Sequence, residues 1–158
     1  MRGDVGLMGE KGETGPQGPR GPFGLVNIIV SAFCATLGYN YPAPNMPIRF
    51  ENVIYNGQEH YSATTGTFTC AIPGVYFFTF NFEVNLISTY VELKKNGVTI
   101  VVAYQAYQNG YQSMAGGAII TLDVGDKVHL ETSENQNGMT KISVFAGQLL
   151  FPCPTYSR

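Results

Sequence analysis

Between Gly74 and Phe82 the side chains alternate at period two. Tyr76, Phe78, Phe80 and Phe82 share one face, and Val75, Phe77, Thr79 and Asn81 share the other. The second face is itself partly apolar, so the pattern predicts a central strand covered on both sides. Tyr90 to Leu93 and Val98 to Val102 are further strand-like runs, and they flank Asn96-Gly97. That dipeptide suits a two-residue hairpin turn because both residues tolerate positive φ. Asn109-Gly110 is expected to join the second run to a strand over residues 114–122, while Val124-Gly125-Asp126 and Asn137-Gly138 extend the series of turns. Such regular punctuation without helical periodicity predicts an antiparallel sandwich or jelly roll. Pro42, Pro44 and Pro47 keep the segment before Phe50 out of any central strand. At Pro73-Gly74, before the aromatic strand, a turn is expected whose glycine takes a dihedral that other residues resist.

A different period governs the start of the chain. Gly3, Gly6, Gly9, Gly12, Gly15, Gly18, Gly21 and Gly24 fall on an unbroken three-residue beat. Only glycine fits the axis where three polyproline-II strands meet, so this register specifies a collagen triple helix, a rod of roughly 70 Å at about 3.1 Å per residue. Pro16, Pro19 and Pro22 all follow a glycine directly, and none precedes one. The usual hydroxyproline stabilisation is therefore missing, and the head is expected to help hold the rod in register. Lys11-Gly12-Glu13 can pair between staggered chains, for well under ~1 kcal/mol each. Arg2-Gly3-Asp4 spells an integrin-binding tripeptide, but both charged residues are ordinary in a collagen repeat. The division expected is a Gly-X-Y stalk over residues 1–26 and a globular domain over residues 27–158.

Composition narrows the function. Charged residues make up only 13% and the formal net charge is -2. Nothing is basic enough to suggest nucleic acid, and no cationic cluster marks a membrane surface. So little charge suggests that part of the head is covered by other chains. No apolar run approaches the ~18 residues needed to cross a bilayer, and no secretory leader stands at Met1. Since collagen assembles along the secretory route, the chain is expected to be a fragment of a secreted protein with more stalk upstream. No Asn-X-Ser/Thr acceptor for N-glycosylation is present.

The run from Phe50 through Asn56, Tyr61 and Phe68 to Gly74-Val75-Tyr76-Phe77-Phe78-Thr79-Phe80 resembles the signature of the complement C1q globular domain. Ser31-Ala32-Phe33 resembles that family's first strand and Gly125-Asp126-Lys127-Val128 its turn into a late strand. Phe145-Ala146-Gly147-Gln148-Leu149-Leu150-Phe151 resembles its closing strand. The resemblance spans nearly all of residues 30–152. It implies an all-β, ten-stranded jelly-roll sandwich similar to tumour necrosis factor, packed as a tight trimer. The ladder Tyr76, Phe78, Phe80 and Phe82 would then divide between the jelly-roll core and the trimer axis.

Candidate chemistry is sparse. His60 and His129 read as structural or surface residues, and no Ser-His-Asp arrangement, phosphate loop or zinc spacing is present. The protein is read as a non-enzyme. Several members of the family hold Ca²⁺ near the trimer apex with aspartates between the fifth and sixth strands. The matching stretch here, Tyr104 to Gln112, has no carboxylate. A tight calcium site is therefore not expected, and Gln105 and Gln112 are the residues that would serve a weak one. The cysteines are Cys34, Cys70 and Cys153, an odd number that leaves one over. The resemblance implies that Cys70 lacks its usual partner, with Tyr90 standing there, and packs as a buried thiol. It also makes Cys34 and Cys153 neighbours, hence candidates for a disulfide, with Cys153 alternatively linking protomers. Tyr104, Tyr107 and Tyr111 lie close together and suit a contact surface, either between protomers or toward a partner.

Two functions follow. One is a soluble, secreted recognition or signalling ligand whose three heads bind extracellular proteins or receptors with avidity. The other is an extracellular-matrix protein of the short-chain network collagen type, whose heads join into meshes.

Overall fold

The structure is a computed structural model and describes residues 12–16, 18 and 28–153. The stalk expectation therefore falls largely outside the described residues, as does Arg2-Gly3-Asp4. Every regular element among them is a strand. In sequence order these are β1 (Ala32–Thr36), β2 (Asn52–Tyr55), β3 (Tyr61–Ser62), β4 (Thr67–Thr69) and β5 (Gly74–Lys95). They are followed by β6 (Val98–Gln105), β7 (Gln112–Leu122), β8 (Lys127–Met139) and β9 (Val144–Pro152). All pairings are antiparallel, in one curled sheet of order β2-β1-β9-β5-β8-β4-β3, with β6 and β7 also on β5.

β5 is the spine, and it serves two layers. Its first half, from Gly74 to Val84, pairs with β7 on one side and β9 on the other. Its second half, from Thr89 to Lys95, pairs with β6 and β8. The strand changes layer at Leu86, whose φ is 68°, where the register to β8 shifts between Val84 and Thr89. Counted as the two strands it acts as, β5 completes the ten of a jelly roll.

The aromatic alternation explains the core. Tyr76, Phe78, Phe80 and Phe82 are all buried between the layers with Phe33, Phe50, Phe68 and Phe145. Rings stack directly, Phe33 on Tyr61 at 4.6 Å and Phe80 on Phe82 at 5.0 Å between centroids. The structure thus places the whole ladder inside one protomer, and none of its four rings reaches the surface. Small residues opposite make room. Gly116 lies under the Phe80 ring, and Gly147 between Phe78 and Phe33. Buried hydroxyls are satisfied: Tyr61 donates to the Phe50 carbonyl and accepts from the Phe50 N–H, each at 3.0 Å.

The turns divide into those that local chemistry decides and those that it does not. Asn96 and Gly97 take φ of 52° and 82° and close the β5–β6 hairpin as expected. Gly125, at φ 91°, reverses direction between β7 and β8. Asn109-Gly110 instead lies in a wider loop, because β6 and β7 pair with different halves of β5 and not with each other. Asn137-Gly138 is not a turn at all. It lies within β8, where Gly138 is pressed against the Ile87 carbonyl and a Cβ would overlap it. Gly74 opens β5 without a positive φ. Any larger residue there would collide with the Phe151 carbonyl and Pro152, so what glycine supplies is space.

Candidate functional site

With the aromatic rings turned inward, the outward residues of the β2-β1-β9-β5-β7 layer form a second, unpaired surface. Register sets its rows. Phe77 lies opposite Ile119 and Gln148, and Gln148 opposite Ala32. Thr79 lies opposite Gly117 and Ala146, then come Cys34 and Tyr55. The second row is almost all small, so it forms the floor of a groove of about 300 Å³ walled by Tyr55, Phe77 and Gln148. Ile119 beside it is 65% exposed and Phe151 58%. No charged residue lines the groove.

A second apolar surface lies on β6. Val98, Ile100, Val102 and Tyr104 point outward at period two and are all exposed, while Val101 and Ala103 pack on the core. β6 pairs only with β5, so its other edge is open, and its eight residues carry neither charge nor proline. Exposed edges are usually guarded by those features. The sequence pattern concealed this stripe because both faces of Val98 to Tyr104 are apolar, which erases the visible alternation. Phe77 and Ile119 escaped notice for a related reason, since each neighbours a residue that is equally hydrophobic.

The outer face of the other layer is different in kind. Lys94 Nζ donates to Glu131 Oε1 at 3.1 Å and lies 3.7 Å from Glu92 Oε1, while His129 Nε2 lies 2.9 Å from Glu131 Oε2. Thr99 donates to Glu92 at 3.0 Å. Burial alone would raise the Glu131 carboxyl, but the hydrogen bonds from His129 and Lys94 outweigh it and hold it below the ordinary range. His129 is therefore an ion-network residue. His60 packs edge-on to Phe68, with its Nδ1 2.7 Å from Ser31 Oγ.

The remaining candidates separate. Tyr104 is on the β6 stripe, Tyr111 is exposed in the loop before β7, and the Tyr107 hydroxyl accepts from Gly110 N–H at 3.4 Å. Gln105 donates to the Ala106 carbonyl, and Gln112 Oε1 accepts from Gln108 N–H at 2.9 Å. The oxygen that Gln112 would offer a cation is thus already bonded. No group of three or more His, Cys, Asp or Glu suited to a metal occurs among the described residues. Cys34, Cys70 and Cys153 are all free thiols. Cys34 is in register with Ala146 on β9, and Cys153 lies seven residues further along, just past the end of that strand. At ~3.3 Å per residue that is about 23 Å, far beyond disulfide reach, so a Cys34–Cys153 bond within one protomer is ruled out. Cys70 is buried, its Sγ 3.2 Å from the Ile72 carbonyl, and burial pushes its thiol pKa up.

This arrangement can be compared with known proteins. The sequence profile of the C1q domain matches residues 32–150. The chain belongs to the C1q domain family. Mouse collagen alpha-1(X) chain is 38% identical over 135 residues, covering 82% of this chain and 20% of the relative. Human complement C1q and tumor necrosis factor-related protein 9A is 38% identical over 120 residues, covering 72% of this chain and 36% of the relative. The chain thus spans well under half the length of either. Among solved structures, the globular domain of zebrafish complement 1qA superposes with a TM-score of 0.66 at 25% identity, over 78% of this chain and 99% of that one. Eiger TNF from S. frugiperda, at 12% identity and a TM-score of 0.60 over 82% of this chain and 97% of that one, shows the same TNF-like jelly roll. The family indicated is not a catalytic one. No helix among the described residues is long and apolar enough to cross a membrane.

Proposed function

We propose that this C1q domain is the assembly and recognition head of a secreted, non-catalytic collagenous homotrimer that binds extracellular protein partners or receptors. The observation that carries the reading is the pair of unlike apolar surfaces, a groove in a sheet face and a raised stripe on a sheet edge. Neither surface matches itself, so the natural contact is heterologous, edge of one copy into face of the next. Such a contact closes into a ring or runs on as a filament. The Gly-X-Y register supplies the number at which it closes, because a collagen helix takes three chains. Closure also covers the open β6 edge, and three heads on one stalk present any weak site three times.

Two roles fit such a trimer. The soluble ligand remains the principal reading, with Tyr107 and Tyr111 as apical contact residues. The matrix reading draws support from the collagen alpha-1(X) relative, as similar at 38% as the C1q and TNF-related protein. Assembly does not require Ca²⁺ in this proposal, since residues 104–112 offer no carboxylate. Sedimentation of the purified protein, with and without EDTA, tests it. A discrete trimer indifferent to EDTA supports the ligand reading. Concentration-dependent growth beyond the trimer favours the matrix reading, and a monomer overturns both.

A further inference from the structure

The protein holds four Asn-Gly pairs, at Asn56, Asn96, Asn109 and Asn137, and the fold treats them unequally. Asn56 Nδ2 donates to the Tyr61 carbonyl at 2.6 Å, and its Oδ1 accepts from Tyr61 N–H at 3.2 Å. Asn96 is locked on both amide atoms: Nδ2 donates to Asp126 Oδ1 at 3.0 Å, and Oδ1 accepts from Lys127 N–H at 2.8 Å. Asn137 lies inside β8 and donates to the Pro42 carbonyl at 2.8 Å, with Gly138 wedged under the Ile87 carbonyl. Asn109 has none of this. It is exposed in the loop between β6 and β7, and among the described residues its amide group makes no hydrogen bond. Gly110 beside it is exposed with φ +77°, has open space where a Cβ would stand, and its N–H has only the long 3.4 Å contact with the Tyr107 hydroxyl.

We infer that Asn109 is the protein's site of spontaneous deamidation, and that folding protects the other three Asn-Gly pairs. The chemistry needs water alone as co-reactant. The Gly110 backbone nitrogen gives up its proton to base and attacks Asn109 Cγ, forming a new C–N bond. The bond between Asn109 Cγ and Nδ2 breaks and ammonia leaves, giving a five-membered succinimide. Water then opens either carbonyl, producing aspartate or isoaspartate, with no change of oxidation state. Glycine permits the attack because it has no Cβ to block the nitrogen. A hydrogen-bonded asparagine must first release its partners, which slows the step by their opening equilibrium.

The product matters because residues 104–112 carry no charge. Each event places a carboxylate beside Tyr107 and Tyr111, the isoaspartate form also lengthening the loop by one backbone atom. In a trimer this happens up to three times at one end of the molecule. The inference itself does not depend on trimerisation.

The test is peptide mapping of the intact protein after incubation in mildly alkaline buffer. Chymotrypsin is used because cleavage at Tyr104 and Tyr107 separates Asn96 from Asn109. Asn109 should convert at least about tenfold faster than Asn56, Asn96 or Asn137, as expected where one or two hydrogen bonds must open first. In urea-denatured protein the four rates should come together, which shows that the fold imposes the ranking. Asp126→Ala should speed conversion at Asn96 and leave Asn109 unchanged, and Asn109→Gln should remove the fast product. Equal rates at the four sites in the folded protein would overturn the inference, as would the same ranking in the denatured protein.

Discussion

The molecule's two outer faces are built to opposite rules. The outer face of the β5–β8 layer completes its chemistry within one protomer, since Lys94, Glu92, Glu131, His129 and Thr99 satisfy one another. The outer face of the β1-β9-β5-β7 layer has no such network and presents Phe77, Ile119 and a floor of small residues. One face is finished in water, and the other has apolar area left over. The same strand, β5, supplies both. Fold and assembly can therefore be perturbed separately by choosing the face.

The largest effect should come from neither face but from the core that joins them. Phe78→Ala removes a fully buried ring and should cost about 3–5 kcal/mol, read as a large drop in the denaturation midpoint. If that loss is absent, the layers do not share one core. Next comes Gly138→Ala, which forces a Cβ into the Ile87 carbonyl and should destabilise by about 1–3 kcal/mol. Phe77→Asp, on the unfinished face, should leave the strand signature in circular dichroism unchanged and reduce the sedimenting mass to that of a monomer. Retention of the trimer would sink the assignment of that groove to assembly.

The finished face should respond to acid instead. Glu131 has its carboxyl held below the ordinary range, so it stabilises the fold above that range and loses the contribution as pH falls through its folded value. Glu131→Gln should flatten this acid limb and cost about 1 kcal/mol at neutral pH, since it exchanges a part-buried charge pair for an amide that keeps one accepting oxygen. Trimer mass should not move. The smallest effect is expected from EDTA, with no change in mass or melting temperature, and a shift on chelation would mean that a cation helps hold the assembly.

Much of the fold could be read in advance because its strongest signals are local. Period-two aromatics from Tyr76 to Phe82 name a strand and its core face, and Asn96-Gly97 names a turn through its own φ preferences. The errors arose where a tertiary neighbour decides. Gly138 and Gly74 read as turn residues but are glycine because another backbone comes too close, which no local pattern reports. The candidate pairing of Cys34 with Cys153 rested on adjacency of strands, which says nothing about which residues meet; in register, Cys34 lies opposite Ala146. The candidate surface was the least legible part. Phe77 looks like any core aromatic until the pairing with Ile119 shows which way it points.

The position of β9 has a consequence for the order of events during synthesis. It lies between β1 and β5, although it is the last strand in the sequence. Until Val144 to Pro152 leaves the ribosome, β1 has no neighbour on that side and the groove lacks Ala146, Gly147 and Gln148. In the proposed trimer, the Gly-X-Y segment precedes the head in the sequence and would wait for the face that brings three copies together. In that trimer, winding of a Gly-X-Y stalk would start at the head and run toward the N-terminus, against the direction of translation.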